Sequence, residues 1–191
     1  MPYAHDLTDD EKRELLRIAR ATLKEFLMTG RVPPGAPHRK SMTDPAGVFV
    51  ALSQAGKPRG AIGTMSADRP LFKAIQEMAV AAASRDPRAR PLKLDELAAV
   101  NIEISVIGPE SSVRGPGEIE IGRHGVSVSS GGKRAVSLPQ AIVEGGWSAE
   151  EALTRTAEKA GLPGDAWKAA GAELGIFTAQ VFDEAKLKKP A

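Results

Sequence analysis

Val48-Phe49-Val50-Ala51-Leu52-Ser53, then Gln54-Ala55-Gly56-Lys57, then Pro58-Arg59-Gly60-Ala61-Ile62-Gly63-Thr64, reads as a strand, a turn and a return strand. Two strands joined by so short a turn pair antiparallel, because a parallel return needs a crossover of a dozen residues or more. Pro58 has no amide donor and is expected at the strand's start or on a sheet edge. Gly60 and Gly63 each remove a side chain and cost conformational entropy, so close approach by another group is the expected reason for them. Arg59 beside them is either an anion clamp or a surface arginine whose stem covers apolar atoms. Arg59, Gly60, Ala61 and Gly63 are therefore candidate binding positions.

On the N-terminal side, Thr8-Asp9-Asp10-Glu11 fits a capping box, and Leu15, Ile18, Ala19, Thr22, Leu23 and Phe26 follow at helical spacing until Gly30. Residues 31–45 carry four prolines and read as a long loop. On the C-terminal side a second helix is expected from about Pro70, with Pro70 in its first turn and an alanine-rich face suited to close packing on a sheet. Residues 101–107 alternate apolar and polar, which places Glu103 off the apolar face of a strand. Residues 126–129 and 133–138 flank Ser130-Gly131-Gly132 as a hairpin. Ser148-Ala149-Glu150-Glu151 opens a helix that Gly161 stops, and 175–182 is a strand apolar on both faces, expected to be central. Hairpins with segregated helices predict an α+β fold with a mainly antiparallel sheet. Residues 1–185 are read as one domain, with two subdomains sharing a core as the alternative, and 186–191 as a basic disordered tail.

With 191 residues, 42% hydrophobic and 26% charged, the chain has material for a substantial core. It has no cysteine, which excludes disulfides, thiol nucleophiles and cysteine-ligated metals, and favours a reducing, cytoplasmic setting. Met1-Pro2-Tyr3-Ala4-His5-Asp6 leads into an acidic stretch where a secretory signal would be basic and then apolar. The net charge of +2 is too small for a global field that attracts nucleic acid. Arg85, Arg88, Arg90 and Lys93 form a local basic turn, but no aromatic residues interleave with them to stack bases.

Familiar chemical motifs fail on inspection. Gly132-Lys133 lacks the earlier glycine of a phosphate loop, since position 127 is Ser, and Arg134 replaces the hydroxyl that would hold magnesium. No dinucleotide-binding glycine run and no nucleophile elbow occur. His5, His38 and His124 are too scattered to suggest a metal site, and neither metal nor cofactor is expected. Gly122-Arg123-His124-Gly125 sets a titratable ring between two glycines at a strand entry, either an accessible acid–base group or a plain turn. Gln140 and Glu144 follow at a strand end and in a loop. His124, Glu103 and Glu144 are candidate acid–base groups, and Arg123 and Gln140 candidate binding residues.

Several of these blocks, taken in order, resemble the AmmeMemoRadiSam system protein A family, named for the human region of Alport syndrome, mental retardation, midface hypoplasia and elliptocytosis. The resemblance rests on Gly47-Val48-Phe49-Val50-Ala51-Leu52 leading to Arg59-Gly60-Ala61-Ile62-Gly63, on Arg85-Asp86-Pro87-Arg88, Glu103-Ile104-Ser105-Val106, Gly122-Arg123-His124-Gly125, Leu138-Pro139-Gln140, Lys159-Ala160-Gly161-Leu162 and Val181-Phe182. It implies an α+β domain with a smaller, largely helical part. It also implies an intracellular protein of unestablished activity that travels with Memo-type and radical-SAM proteins. The family pattern carries cysteine where this chain has Ala61, and often another near Ala157. Alanine keeps the small volume but can be neither nucleophile nor ligand. Two functions are then expected to compete. One is an accessory, protein-binding component in which the glycine-rich strand docks a partner's loop or terminus. The other is an enzyme or small-ligand binder holding an anion at Arg59, with His124 as general acid or base. The sequence sets neither oligomeric state nor ligand.

Overall fold

The structure, a computed structural model, describes residues 6–35, 37 and 39–187. Strands β1 (Gly47–Gln54) and β2 (Lys57–Thr64) pair antiparallel. Between them Ala55 and Gly56 both take positive φ, 50° and 75°, as a two-residue turn matched to strand twist requires. Leu52 pairs with Gly60 and Ser53 with Pro58, so Arg59 is the additional residue of a bulge. On the other side of β1 lies β3 (Val100–Val113), with Val50 opposite Ile104 and Ala51 opposite Glu103. The remaining strands are β4 (Gly125–Ser130), β5 (Lys133–Ser137) and β6 (Glu173–Asp183).

The hydrogen-bonded order is β2-β1-β3-β6-β4-β5. The fold is therefore α+β with a mainly antiparallel sheet, β2 is an edge strand that tolerates Pro58, and β6 is internal. The chain divides into two compact units, one of residues up to 107 together with those from 180 onward, the other of residues 108–179.

In the first unit, helix α1 (Asp9–Thr29) starts as the sequence predicts. The Thr8 hydroxyl accepts from the Glu11 amide, the Glu11 carboxylate accepts from the Thr8 amide, and Gly30 ends the helix in the left-handed conformation. The Ser41 hydroxyl also donates to Glu11. That bond, then the one from the Thr8 amide, hold the Glu11 carboxyl at about 2 rather than the ordinary 4.5. Helix α2 (Leu71–Ser84) begins one residue later than expected, with Pro70 as its N-cap and not in its first turn. The proline loop contains a short 3-10 turn, Lys40–Met42, which buries Met42 completely. Leu15, Leu23, Ile75, Val48, Val50, Ile102 and Ile104 form the centre of a continuous apolar cluster. Truncating any of these leucines or isoleucines to alanine costs about 2–5 kcal/mol. Helix α5 (Glu184–Leu187) follows β6 and takes in Lys186 and Leu187, two residues read from sequence as tail; the remaining four lie outside the described residues.

The second unit has its own cluster of Val126, Val128, Ile142, Ala152, Leu153 and Leu174. The β4–β5 hairpin turns on Gly131 and Gly132, both at positive φ. Helix α3 (Pro139–Glu144) occupies a stretch read from sequence as a strand end and loop. Helix α4 (Ala149–Lys159) starts from the predicted capping box at Ser148.

Candidate functional site

The glycines of β2 are explained by the chain's own packing. A Cβ at Gly60, whose φ is +148°, would overlap the Ala82 carbonyl oxygen of α2, and one at Gly63 would overlap the Phe49 ring. Helix α2 sits this close because Ala79, Ala82 and Ala83 are small and buried.

Arg59 is turned inward by the bulge and is 8% exposed. Its Nε and Nη2 donate to the two Glu96 oxygens at 3.3 and 2.8 Å, its Nη1 to the Arg90 carbonyl at 2.6 Å, and its Nη2 also to the Pro91 carbonyl at 3.2 Å. Arg59 thus fastens the segment after α2 to the edge strand. Glu96 closes the arrangement by accepting from the Lys93 amide at 2.9 Å and from Arg90 Nη2 at 2.8 Å. The bond from Arg59, followed by that from the Lys93 amide, lowers the Glu96 carboxyl from 4.5 to about 2.

Ala61 is held from the same side. Its amide donates to Asp86 Oδ2 at 2.8 Å and its carbonyl accepts from Arg88 Nη2 at 2.9 Å. Asp86 is itself gripped by Arg88 through the amide, Nε and Nη2. The Arg88 guanidinium first, and then the Ala61 and Arg88 amides, hold the buried Asp86 carboxyl well below the usual carboxylate range, while the Arg88 pKa rises. Asp86 and Arg88 stand in for one peptide of a neighbouring strand, a device that blunts an exposed edge. The basic turn at 85–93 is therefore a clasp, and Glu96, which the sequence reading missed, is its inner anchor. Its spacing of three residues from Lys93, typical of a carboxylate reaching back to an amide, was the available signal.

A cleft of about 500 Å³ lies between the hairpin turn and this clasp, lined by Gln54, Lys57, Pro58, Arg88 and Arg90 among others. The Arg88 and Arg90 side chains are each 68% exposed, so their outer donors face solvent while their inner ones hold Asp86 and Glu96. Glu103, half-buried on β3, belongs to this first unit.

His124, Arg123, Gln140 and Glu144 belong to the second unit. The His124 ring is buried rather than accessible. Its Nδ1 accepts from the Glu120 amide at 3.1 Å, and its own amide donates to the Glu120 carbonyl at 2.9 Å, so the ring closes a turn. Arg123 pairs with Glu120 on the exposed side of that turn at 3.0 Å. Gln140 lies in the first turn of α3, and Glu144 is exposed at its end. The candidates thus fall into two groups, Arg59 with its neighbours and Glu103 in one unit, His124 with its neighbours in the other.

The second unit also holds a pocket of about 450 Å³ that the sequence reading missed. There the Ser127 hydroxyl donates to Glu110, and Arg134 Nη2 bonds both Glu110 oxygens at 2.7 and 2.6 Å. The three side chains lie on different strands, and no local spacing could have joined them. Among the described residues no group of three or more His, Asp or Glu could hold a metal ion, and no helix is long and apolar enough to cross a membrane.

An α+β protein whose edge strand is clasped by an Arg-Asp-Pro-Arg turn is the class these features define. The AMMECR1 family model matches residues 16–182, and the chain belongs to that family. It is similar to protein PF1979 of Pyrococcus furiosus, 38% identical over 189 residues that cover 93% of this chain and 90% of the relative. A Methanothermobacter thermautotrophicus protein is 39% identical, covering 96% of this chain and 99% of its own. Among solved structures, uncharacterized protein PH0010 from Pyrococcus horikoshii superposes with a TM-score of 0.89 at 35% identity, covering 93% of each chain.

Proposed function

We propose that this protein is an accessory, protein-binding component, and that the cleft beside β2 receives an acidic loop or chain terminus of its partner. The observation that supports this is the division of labour at the rim. Arg88 and Arg90 are fixed by Asp86 and Glu96 yet remain largely exposed, so their charges are positioned in advance and little rotamer entropy is lost on binding. Lys57 adds a third cation at the cleft. Memo-type and radical-SAM proteins are the proposed partners, on the strength of the family resemblance. The absence of cysteine fits a reducing, cytoplasmic setting.

The competing reading, an anion held by Arg59 with His124 as acid or base, has no comparable support. Arg59 directs four hydrogen bonds to its own chain, and His124 is buried in a turn. Charge reversal belongs at the exposed rim, because a change at Arg59 would confuse docking with folding. The test is co-purification of the native protein with its Memo-type and radical-SAM neighbours, compared with the Lys57→Glu/Arg90→Glu variant. Loss of the partner from a variant that still melts normally supports the reading, and unchanged co-purification would overturn it.

A further inference from the structure

The exposed side of α1 carries Arg13, Arg17, Arg20 and Lys24, spaced by four, three and four residues. At about 100° per residue these fall within roughly 60° of one another, and they span about 16 Å of helix. They border a groove of about 840 Å³, a size that suits a substantial ligand. Its floor is apolar and shallow, built from alanines 98, 99 and 185 with Val100 and Leu187. All these residues belong to the first unit.

The four cations are not equivalent. Arg20 is tied down, with Nε and Nη2 on Glu184, Nη1 on the Leu97 carbonyl at 2.8 Å and Nη2 on the Val100 carbonyl at 2.6 Å. It fixes the 97–101 segment and α5 beside α1. Arg13 bonds Asp10 and the Leu187 carbonyl. Arg17 is 73% exposed and only approaches Glu14, at 3.8 Å, beyond hydrogen-bond distance. Lys24 is exposed at the groove's border. Glu184 is the one acidic residue of the lining and is neutralised by Arg20; outside the lining Asp10 pairs with Arg13 and Glu14 lies 3.8 Å from Arg17, so the positive excess is carried by Lys24 and by the exposed parts of Arg13 and Arg17.

We infer that this groove binds an acidic amphipathic helix of a partner protein, laid along α1 with its apolar stripe on the alanine floor and its carboxylates on Arg13, Arg17 and Lys24. Charge complementarity sets the sign of the occupant, and the length of the stripe sets its kind. A compact anionic head group could reach one or two of these cations, whereas a helix of about three turns reaches all of them. The alanines let a partner backbone approach closely. Nucleic acid would also meet the cations, but the lining offers no aromatic surface on which bases could stack. This surface is independent of the cleft beside β2 and stands or falls separately from it.

The test uses the full chain and a fluorescein-labelled helical peptide of about 16 residues, with Glu flanking a Leu stripe, read by anisotropy. Its Gln-for-Glu counterpart and a single-stranded poly(U) oligonucleotide of similar length are run beside it. The acidic peptide is expected to bind at least about tenfold more tightly than either, with affinity falling as salt rises. The Arg17→Glu/Lys24→Glu variant should abolish that advantage, as should Ala99→Glu, which puts a like charge on the floor. Equal binding of the Gln peptide, tighter binding of poly(U), or undiminished binding by either variant would overturn the proposal.

Discussion

The β2 clasp and the α1 groove are both built around arginines, and they use them in opposite ways. At β2 the guanidinium of Arg59 is buried and each of its bonds ends on Glu96 or on the Arg90 and Pro91 carbonyls. Along α1 the half-buried Arg20 is likewise spent on Glu184 and two carbonyls and Arg13 is partly spent on Asp10 and the Leu187 carbonyl, while Arg17 and Lys24 are exposed. Burial makes the difference. A charge removed from water must be met by carboxylates and carbonyls of the fold and becomes structural, whereas an exposed one keeps for a visitor whatever donors the fold has not used. An arginine beside a glycine in a strand therefore says less about ligand binding than a stripe of cations on a helix whose other face is core.

The comparison breaks first at Gly60. Gly60→Ala is expected to destabilise the protein by about 3 kcal/mol or more, because the new methyl meets a backbone oxygen that cannot move without shifting α2, and φ of +148° suits only glycine. Gly56→Ala, at φ +75° with open space around it, should cost only about 1–2 kcal/mol. Urea denaturation of both variants checks this. Similar losses would mean that α2 does not press on the strand.

Next in size is Arg59→Met. It removes the buried partner of Glu96, which keeps only the Lys93 amide and Arg90, and takes the guanidinium from two carbonyls, so the melting temperature should fall by about 5 °C or more, with the 90–96 segment becoming sensitive to proteolysis. Acid acts on the same contacts. Glu11 and Glu96 have carboxyls near 2 in the folded protein against an ordinary 4.5, and Asp86 is also lowered. A carboxyl lowered on folding stabilises fully above its unfolded value, and that contribution disappears as the pH falls through the folded value. Stability should therefore hold above about pH 5 and drop between 4.5 and 2. Asp86→Asn should flatten this fall, and a pH profile of the urea midpoint with the wild-type slope would contradict the assignment.

The hairpin, the two capping boxes and the alternation of 101–107 were legible because each is local: turn residues, three-residue spacing and period two determine them. The four-residue turn into β2 also gave the antiparallel class. Helix α3 was missed because Pro139 at a helix start looks the same in sequence as Pro139 at a strand end. At the clasp, Arg59 and Arg88 could be picked out but their use could not. Whether Arg59 faces solvent depends on a one-residue bulge, and whether Gly60 admits a ligand depends on a helix more than ten residues further along. Ser127, Glu110 and Arg134 meet only through strand pairing. The α1 stripe, in contrast, was present as simple spacing, and was overlooked in favour of the apolar face opposite.

The smallest expected effect is also the sharpest division between the two regions. Arg17→Ala and Lys24→Ala remove exposed charges outside the core, so each should leave stability within about 0.5 kcal/mol. Arg20→Ala, one turn away on the same face, removes the guanidinium from Glu184 and from the Leu97 and Val100 carbonyls and should lower the melting temperature measurably. Differential scanning calorimetry of the three variants separates a helix face with one structural arginine from a face that is wholly structural. If Arg17→Ala or Lys24→Ala melted as early as Arg20→Ala, the stripe would be part of the fold's own electrostatics, and its charges would not be available to a partner.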